Sequence, residues 1–338
     1  MTTQRDTNIP IVGEGNFQYR PVPAFGQVVG GYDYVDVAGV ATDSQDRVYI
    51  FNRGDKPLIV FDADGNFIRS WGDGKFARPH GIYIDPDDHM FLTDDTGHTV
   101  QKFTLDGELL MTLGTRNQPS DTGVTDIDYR TLKQPAGPFH YPTNVAIAPD
   151  GEIYVSDGYG NCRVHRFTPD GQLIQSWGDP GADPGEFHLP HGVFIDSRER
   201  LYISDRENNR VQIFTRDGQF INQWDHVIRP TNVYVDADDH VFVAEVGNQV
   251  GLFPWMTPPP DSTGARLTVM DLDGNILARW GGSHDPYSPA DFYAPHDIWL
   301  DSRGSIYVGE VTWAAGGHKG DVTAECPRLR KFLRVIES

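Results

Sequence analysis

The sequence predicts an all-β fold, a six-bladed β-propeller of four-stranded antiparallel blades. Three observations predict it: a strand-rich unit that recurs along the chain, an Asp-Gly turn at a fixed place in that unit, and a strand-like N-terminal segment that can close the last unit.

The unit is clearest in its second copy, PHGIYIDPDDHMFLTDDTGHTVQKFTLDGELLMTLG, which begins at Pro79. Its apolar runs are β-branched or aromatic and alternate with period two, as half-buried strands do. Asp-Gly, a strong hairpin signal, stands at Asp64-Gly65, Asp106-Gly107, Asp170-Gly171, Asp217-Gly218 and Asp273-Gly274. Trp71, Trp177, Trp224 and Trp280 fall at matching points of the fourth strands.

Aligning the copies on the apolar residue of the first strand gives Val40, Ile82, Val145, Val193, Val233 and Ile298. The spacings are 42, 63, 48, 40 and 65 residues, so six units are present and the longer intervals hold insertions. The chain ends soon after RLRKFLRV, too early for a full last unit. FQYRPVPAFGQVVG, near the N-terminus, is therefore expected to complete the last blade and remove an open edge. On this reading residues 1–338 form one propeller domain.

The formal net charge is −20, which argues against nucleic acid and anionic membranes as partners. The N-terminus is polar, with no apolar secretory core, and no transmembrane run is present. Cys162 and Cys326 are too few for a disulfide framework, so a cytoplasmic location is expected. The expected partner is a small-molecule substrate, and oligomeric state is not readable.

The residue two before each anchor carries the chemistry. It is Ala38, His80, Thr143, His191, Thr231 and His296, so histidine occupies every second blade. Alternate blades of a six-fold ring lie a third of a turn apart, and these positions begin the innermost strands. The three imidazoles should therefore converge on the axis, and three histidines with an open coordination position make a catalytic metal site. Such a set accepts zinc, iron or manganese, and availability decides among them. Pro79, Pro190 and Pro295 precede the histidines and restrict the backbone entering each strand. The other nine histidines follow no pattern and are read as surface or core residues.

Second strands return to the histidine face, so their ends should border the metal. This places Arg53, Asp95, Tyr159 and Arg206 there. An arginine at that mouth can hold a carboxylate bidentately, and a tyrosine beside a metal and an arginine can act as a base. The insertions 113–139, 178–189, 247–265 and 311–328 all fall on the same face, with Trp255 a candidate for a lid or substrate wall.

PHG, PHG and PHD, together with FNRGD, SDGYGN and SDRENNR, resemble the peptidyl-α-hydroxyglycine α-amidating lyases, which are NHL-repeat propellers. The resemblance runs from about Val40 to about Glu310. It implies zinc on His80, His191 and His296, a catalytic tyrosine at Tyr159 and a catalytic arginine at Arg53. It also implies a structural calcium in the channel, held by the backbone carbonyls of Val40 and Ile82 and by Asp297. The reaction it implies splits an α-hydroxyglycine carbinolamide into an amide and glyoxylate.

Gly160 stands where the family has a half-cystine after its tyrosine, and Ala294 replaces a methionine near the last histidine. The leading expectation is a metal-dependent lyase for a small carbinolamide. A hydrolase or hydratase, with the same metal activating water, and a protein-binding platform are the alternatives.

Overall fold

The computed structural model describes residues 9–27, 34–248 and 263–335. Six antiparallel sheets form a ring, each built from consecutive hairpins. Blade 1 comprises Val37–Thr42, Val48–Asn52, Leu58–Phe61 and Phe67–Trp71, and blade 2 comprises Pro79–Ile84, His89–Asp94, Thr99–Thr104 and Leu109–Gly114. Blade 3 comprises Asn144–Ile147, Ile153–Asp157, Arg163–Phe167 and Leu173–Trp177. Blade 4 comprises Pro190–Ile195, Leu201–Asp205, Arg210–Phe214 and Phe220–Trp224. Blade 5 comprises Pro230–Val235, Val241–Glu245, Arg266–Met270 and Ile276–Gly281.

Blade 6 departs from the four-stranded expectation. Pro295–Leu300, Ile306–Glu310 and Leu329–Arg334 are joined by Phe17–Val22 and then by a short outer strand, Val12–Glu14. Tyr19 pairs with Arg334 and Pro21 with Phe332, so both ends of the chain close the ring. The closing strand is shorter than expected: Pro23 to Gln27 are not strand, and Val28 to Gly30 lie outside the described residues.

The turn glycines lock neighbouring blades together. Gly218 has φ +78°, and a Cβ there would lie 2.8 Å from the ring of Trp177 in the preceding blade. Gly274 has the same relation to Trp224. Only glycine satisfies both the left-handed turn and the close approach.

The end of the channel opposite the histidines is filled by aromatic side chains one ring below the anchors. Trp299 meets Tyr83 and Tyr234 with ring centroids 5.3 and 5.1 Å apart, and Phe194 meets Tyr234 at 4.8 Å. Trp299 also donates from Nε1 to Thr42 Oγ1 at 3.1 Å across the ring closure. The aromatic layer blocks that end, so the site is approached from the histidine mouth. Among the described residues no helix is long and apolar enough to cross a membrane.

Candidate metal centre and active site

A local irregularity aims the histidines. In blade 4, Pro190 pairs with Asp205 and Gly192 with Ser204, leaving His191 as an extra residue in the ladder. His296 is displaced the same way between Pro295 and Asp297, and the register shifts again between Pro79 and Ile82, around His80. A β-bulge re-aims one side chain, here toward the channel axis. The proline has no N–H to lose at that step, which makes it compatible with the break in pairing.

Buried carboxylates at the ends of second strands hold the loops that lead in. Asp94 accepts from the N–H groups of Ala77 and Arg78, both at 2.8 Å. Asp205 accepts from His188 N–H at 2.8 Å, and Glu310 from Tyr293 and Ala294 at 2.7 and 2.9 Å. Each bond lies a few residues before a histidine.

The ring after the histidines is Gly39, Gly81, Asn144, Gly192, Asn232 and Asp297. At Gly192 a Cβ would come within 2.4 Å of Asn232 Oδ1 and 2.7 Å of its Cα. Glycine there lets adjacent first strands approach closely. That approach brings His191 Nδ1 to 2.7 Å from the Thr231 carbonyl. His80 Nδ1 reaches Thr143 O at 2.6 Å and His296 Nδ1 reaches Ala38 O at 2.7 Å.

A carbonyl only accepts, so each Nδ1 carries the proton and each Nε2 is left as a lone-pair donor. That tautomer is the one a metal ligand needs. The three ring centroids are 4.6 to 4.8 Å apart, close to an equilateral triangle, and the three candidate ligand atoms lie within 4.8 Å of one another. Burial first, then nearby positive charge, pushes all three imidazoles well below their ordinary pKa; Arg53 acts on all three, Arg206 on His191 and His296, and neighbouring histidines on His80 and His191. They are neutral, buried and convergent, and His296 Nε2 has no hydrogen-bond partner among the described residues. A divalent transition metal fits this donor set.

Tyr159 lies at the same point. Its Oη is 3.1 Å from His191 Nε2 and 3.3 Å from His80 Nε2. Arg206 donates from Nη1 to that oxygen at 3.4 Å, and its guanidinium lies 5.4 Å from the ring centroid. Arg206 is 2% exposed. Burial opposes its charge, but Tyr159 and Glu207 outweigh that and raise its pKa. Glu207 Oε1 accepts from Arg206 Nε at 2.8 Å and from Arg229 Nη2 at 2.9 Å. Burial pushes Glu207 up, yet the two arginines hold it below the usual range.

Arg53 lines the same cavity, of about 400 Å³. It donates from Nε to Pro79 O at 3.1 Å and faces Asp36 at 3.6 Å, while its Nη2 is buried without a partner among the described residues. Asp95 stands one step back. It is fully buried and pairs with Arg78 Nη1 at 2.6 Å, and it does not line the cavity.

Arg78 does line the cavity and was not singled out from the sequence. It stands two residues before His80, in a ring of Asp36, Arg78, Tyr141, Leu189, Arg229 and Ala294. Reading that column as the histidine column was read would have found it. Asp126, Ile127 and Asp128 of the 113–139 insertion also face the cavity, as do Val311 and Ala314 of the 311–328 insertion. Asp126 and Ile127 both have φ +56°, an uncommon state for a β-branched residue. Trp255 lies outside the described residues.

Asp297 occupies the layer below the histidines and accepts from the N–H groups of Val40 and Ile298, each at 2.9 Å, and from Asn232. Its observed contact with Val40 runs through that residue's nitrogen. Burial raises its pKa to about 7.

The fold and site define a propeller with one blocked end and a three-histidine centre at the other. The NHL repeat matches residues 139–167 and 187–214. The chain is 33% identical over 273 residues to peptidyl-α-hydroxyglycine α-amidating lyase 1 of Drosophila melanogaster, covering 75% of this chain and 46% of that protein. It is 30% identical over 313 residues to peptidyl-glycine α-amidating monooxygenase B of Xenopus laevis, covering 81% of this chain but 33% of that protein. It is 28% identical over 289 residues to NHL repeat-containing protein 3 of Mus musculus, covering 80% and 76%. The chain thus spans about a third to a half of the two amidating relatives. A streptogramin B lyase structure shares the fold with TM-score 0.58 at 13% identity, covering 94% of this chain and 97% of that one. The chain belongs to the NHL-repeat propeller family that includes the peptidyl-α-hydroxyglycine α-amidating lyases.

Proposed function

We propose that the chain is a metal-dependent lyase that cleaves the C–N bond of a small N-acyl carbinolamide, releasing an amide and an aldehyde such as glyoxylate. One observation carries the reading. Tyr159 Oη lies 3.1 and 3.3 Å from two of three convergent Nε2 atoms, with Arg206 on the same oxygen. The name of the lyase relative at 33% identity supports the same chemistry.

His80, His191 and His296 would hold zinc, or else iron or manganese. When bound, such an ion supplies a Lewis acid that lowers the pKa of a coordinated hydroxyl. Tyr159 accepts the proton of the substrate hydroxyl. As the carbonyl forms, the C–N electron pair passes to nitrogen, and Tyr159 returns the proton there. Arg206 donates to the phenol oxygen and so fixes its position beside the histidines. Arg53, through its unpartnered Nη2, binds the carboxylate of an α-hydroxyglycine-type substrate. A structural calcium held by Asp297 and the carbonyls of Val40 and Ile82 belongs to the same proposal; Asp297 is 2% exposed and is the carboxylate of its ring. Cys162 and Cys326 are buried and unpaired, which supports a cytoplasmic setting.

The test is turnover of N-acyl-α-hydroxyglycines by metal-reconstituted protein in isotopically labelled water. The reading expects amide and glyoxylate in equal amounts, with no solvent oxygen in the amide, and loss of turnover in His191→Ala. Release of the acyl group as its own carboxylic acid, carrying solvent oxygen, would instead identify a hydrolase.

A further inference from the structure

A second cavity, of about 390 Å³, adjoins the first and shares Arg53, Arg78 and Ala314 with it. Its remaining wall is Val35, Asp36, Ala77, Pro79, Thr96 and Trp313. The charges that border it are matched in pairs, Arg53 with Asp36 and Arg78 with Asp95. Val35, Ala77, Pro79, Trp313 and Ala314 give it an apolar side facing these paired charges.

Trp313 is 50% exposed. Other exposed large apolar side chains, such as Ile68, Leu109, Leu173, Ile221 and Ile276, lie on the outermost strands. Trp313 instead stands at the mouth, on the short helix Thr312–Ala315. Asp36 Oδ1 accepts from the N–H groups of Trp313 and Ala314, at 2.8 and 3.2 Å, while Asp36 Oδ2 faces Arg53. One carboxylate therefore fixes both the indole-bearing turn and an arginine of the reaction cavity. A Cβ on Gly317 would lie 3.0 Å from the indole, so the ring is also backed by its own chain.

We infer that this second cavity is the subsite for the acyl group of the substrate, and that it selects a flat apolar acyl group packed against Trp313. The inference rests on the lyase reading. With the hydroxylated carbon at the histidines, the amide nitrogen and its acyl carbonyl come next along the substrate. Arg78, shared by both cavities, stands at that junction. A ring stacked on an exposed tryptophan removes apolar area from both and adds an aromatic contact.

The test uses N-benzoylglycine and N-acetylglycine, stand-ins that lack the reactive hydroxyl, titrated calorimetrically into metal-reconstituted wild type, Trp313→Ala and Trp313→Phe. Benzoylglycine should bind the wild type about tenfold more tightly than acetylglycine. The preference should collapse toward unity in Trp313→Ala and largely return in Trp313→Phe. No preference in the wild type, or one that survives in Trp313→Ala, would overturn the subsite. The corresponding α-hydroxyglycines separate the two ideas. A Trp313-dependent binding preference without cleavage keeps the subsite and sinks the lyase reading. Cleavage with no acyl preference does the reverse.

Discussion

Gly192→Ala should disturb the three-histidine centre without replacing any of its side chains. The added carbon would meet Asn232 Oδ1 at 2.4 Å, Asn232 Cα at 2.7 Å and Thr231 O at 2.9 Å, all inside the 3.4 Å of ordinary contact. Two of the three are backbone atoms, so a rotamer change cannot relieve the clash. The first strand of blade 5 must move away from that of blade 4, and Thr231 O, the partner of His191 Nδ1, moves with it. Overpacking of this kind costs about 1–3 kcal/mol. In a protein of this size that lowers the melting temperature by several degrees. Loss of the carbonyl that orients a metal-binding histidine typically weakens metal affinity about 10- to 100-fold. Differential scanning fluorimetry with a competitive chelator titration reads both quantities. Gly137→Ala, where the added carbon meets nothing within 4 Å, is the neutral control. Unchanged melting temperature and affinity in Gly192→Ala would refute the argument that close approach of the first strands sets the histidine geometry.

Two further outcomes follow from the same geometry. Tyr159→Phe removes the oxygen on His80, His191 and Arg206, and should lower kcat about 10²- to 10⁴-fold with metal content unchanged; parallel kinetics and elemental analysis check it. Glu207→Gln leaves Arg206 and Arg229 as buried cations without their shared anion, and should cost about 3–5 kcal/mol. Because the folded-state pKa of Glu207 is depressed, its contribution is present above the ordinary glutamate range and is lost as pH falls through the folded value. Melting curves of wild type and Glu207→Gln should therefore differ most near neutral pH and converge on strong acidification.

The repeat was legible because the inner strands are buried on both faces, so that each reads as a short apolar run bounded by turns, and because the Asp-Gly turn has a backbone few other residues adopt. The histidine triangle was legible for the opposite reason. His80, His191 and His296 are polar residues at a column that packing alone would fill with Thr or Ala. Tyr159 and Arg206 followed from strand direction. Glu207 did not, because its partner Arg229 leads into the next blade, and such a pairing leaves no period in the sequence; Arg78 stood in a readable column, two residues before the histidines, whose members share no common type. The outer strand Val12–Glu14 was also missed. Its only sign is the two-residue turn Gly15-Asn16 before Phe17, and three residues are too few to show alternation. The bulges at His191 and His296 were invisible for a related reason: a bulge is a relation between two strands, and proline marks only one side of it.

The measurement that bears most directly on the central claim is the metal content of the purified protein by elemental mass spectrometry, with His80→Ala alongside. The account predicts about one transition metal per chain, lost in His80→Ala while the melting curve shows a folded protein. No transition metal in the wild type, even after reconstitution with zinc or iron, would contradict it.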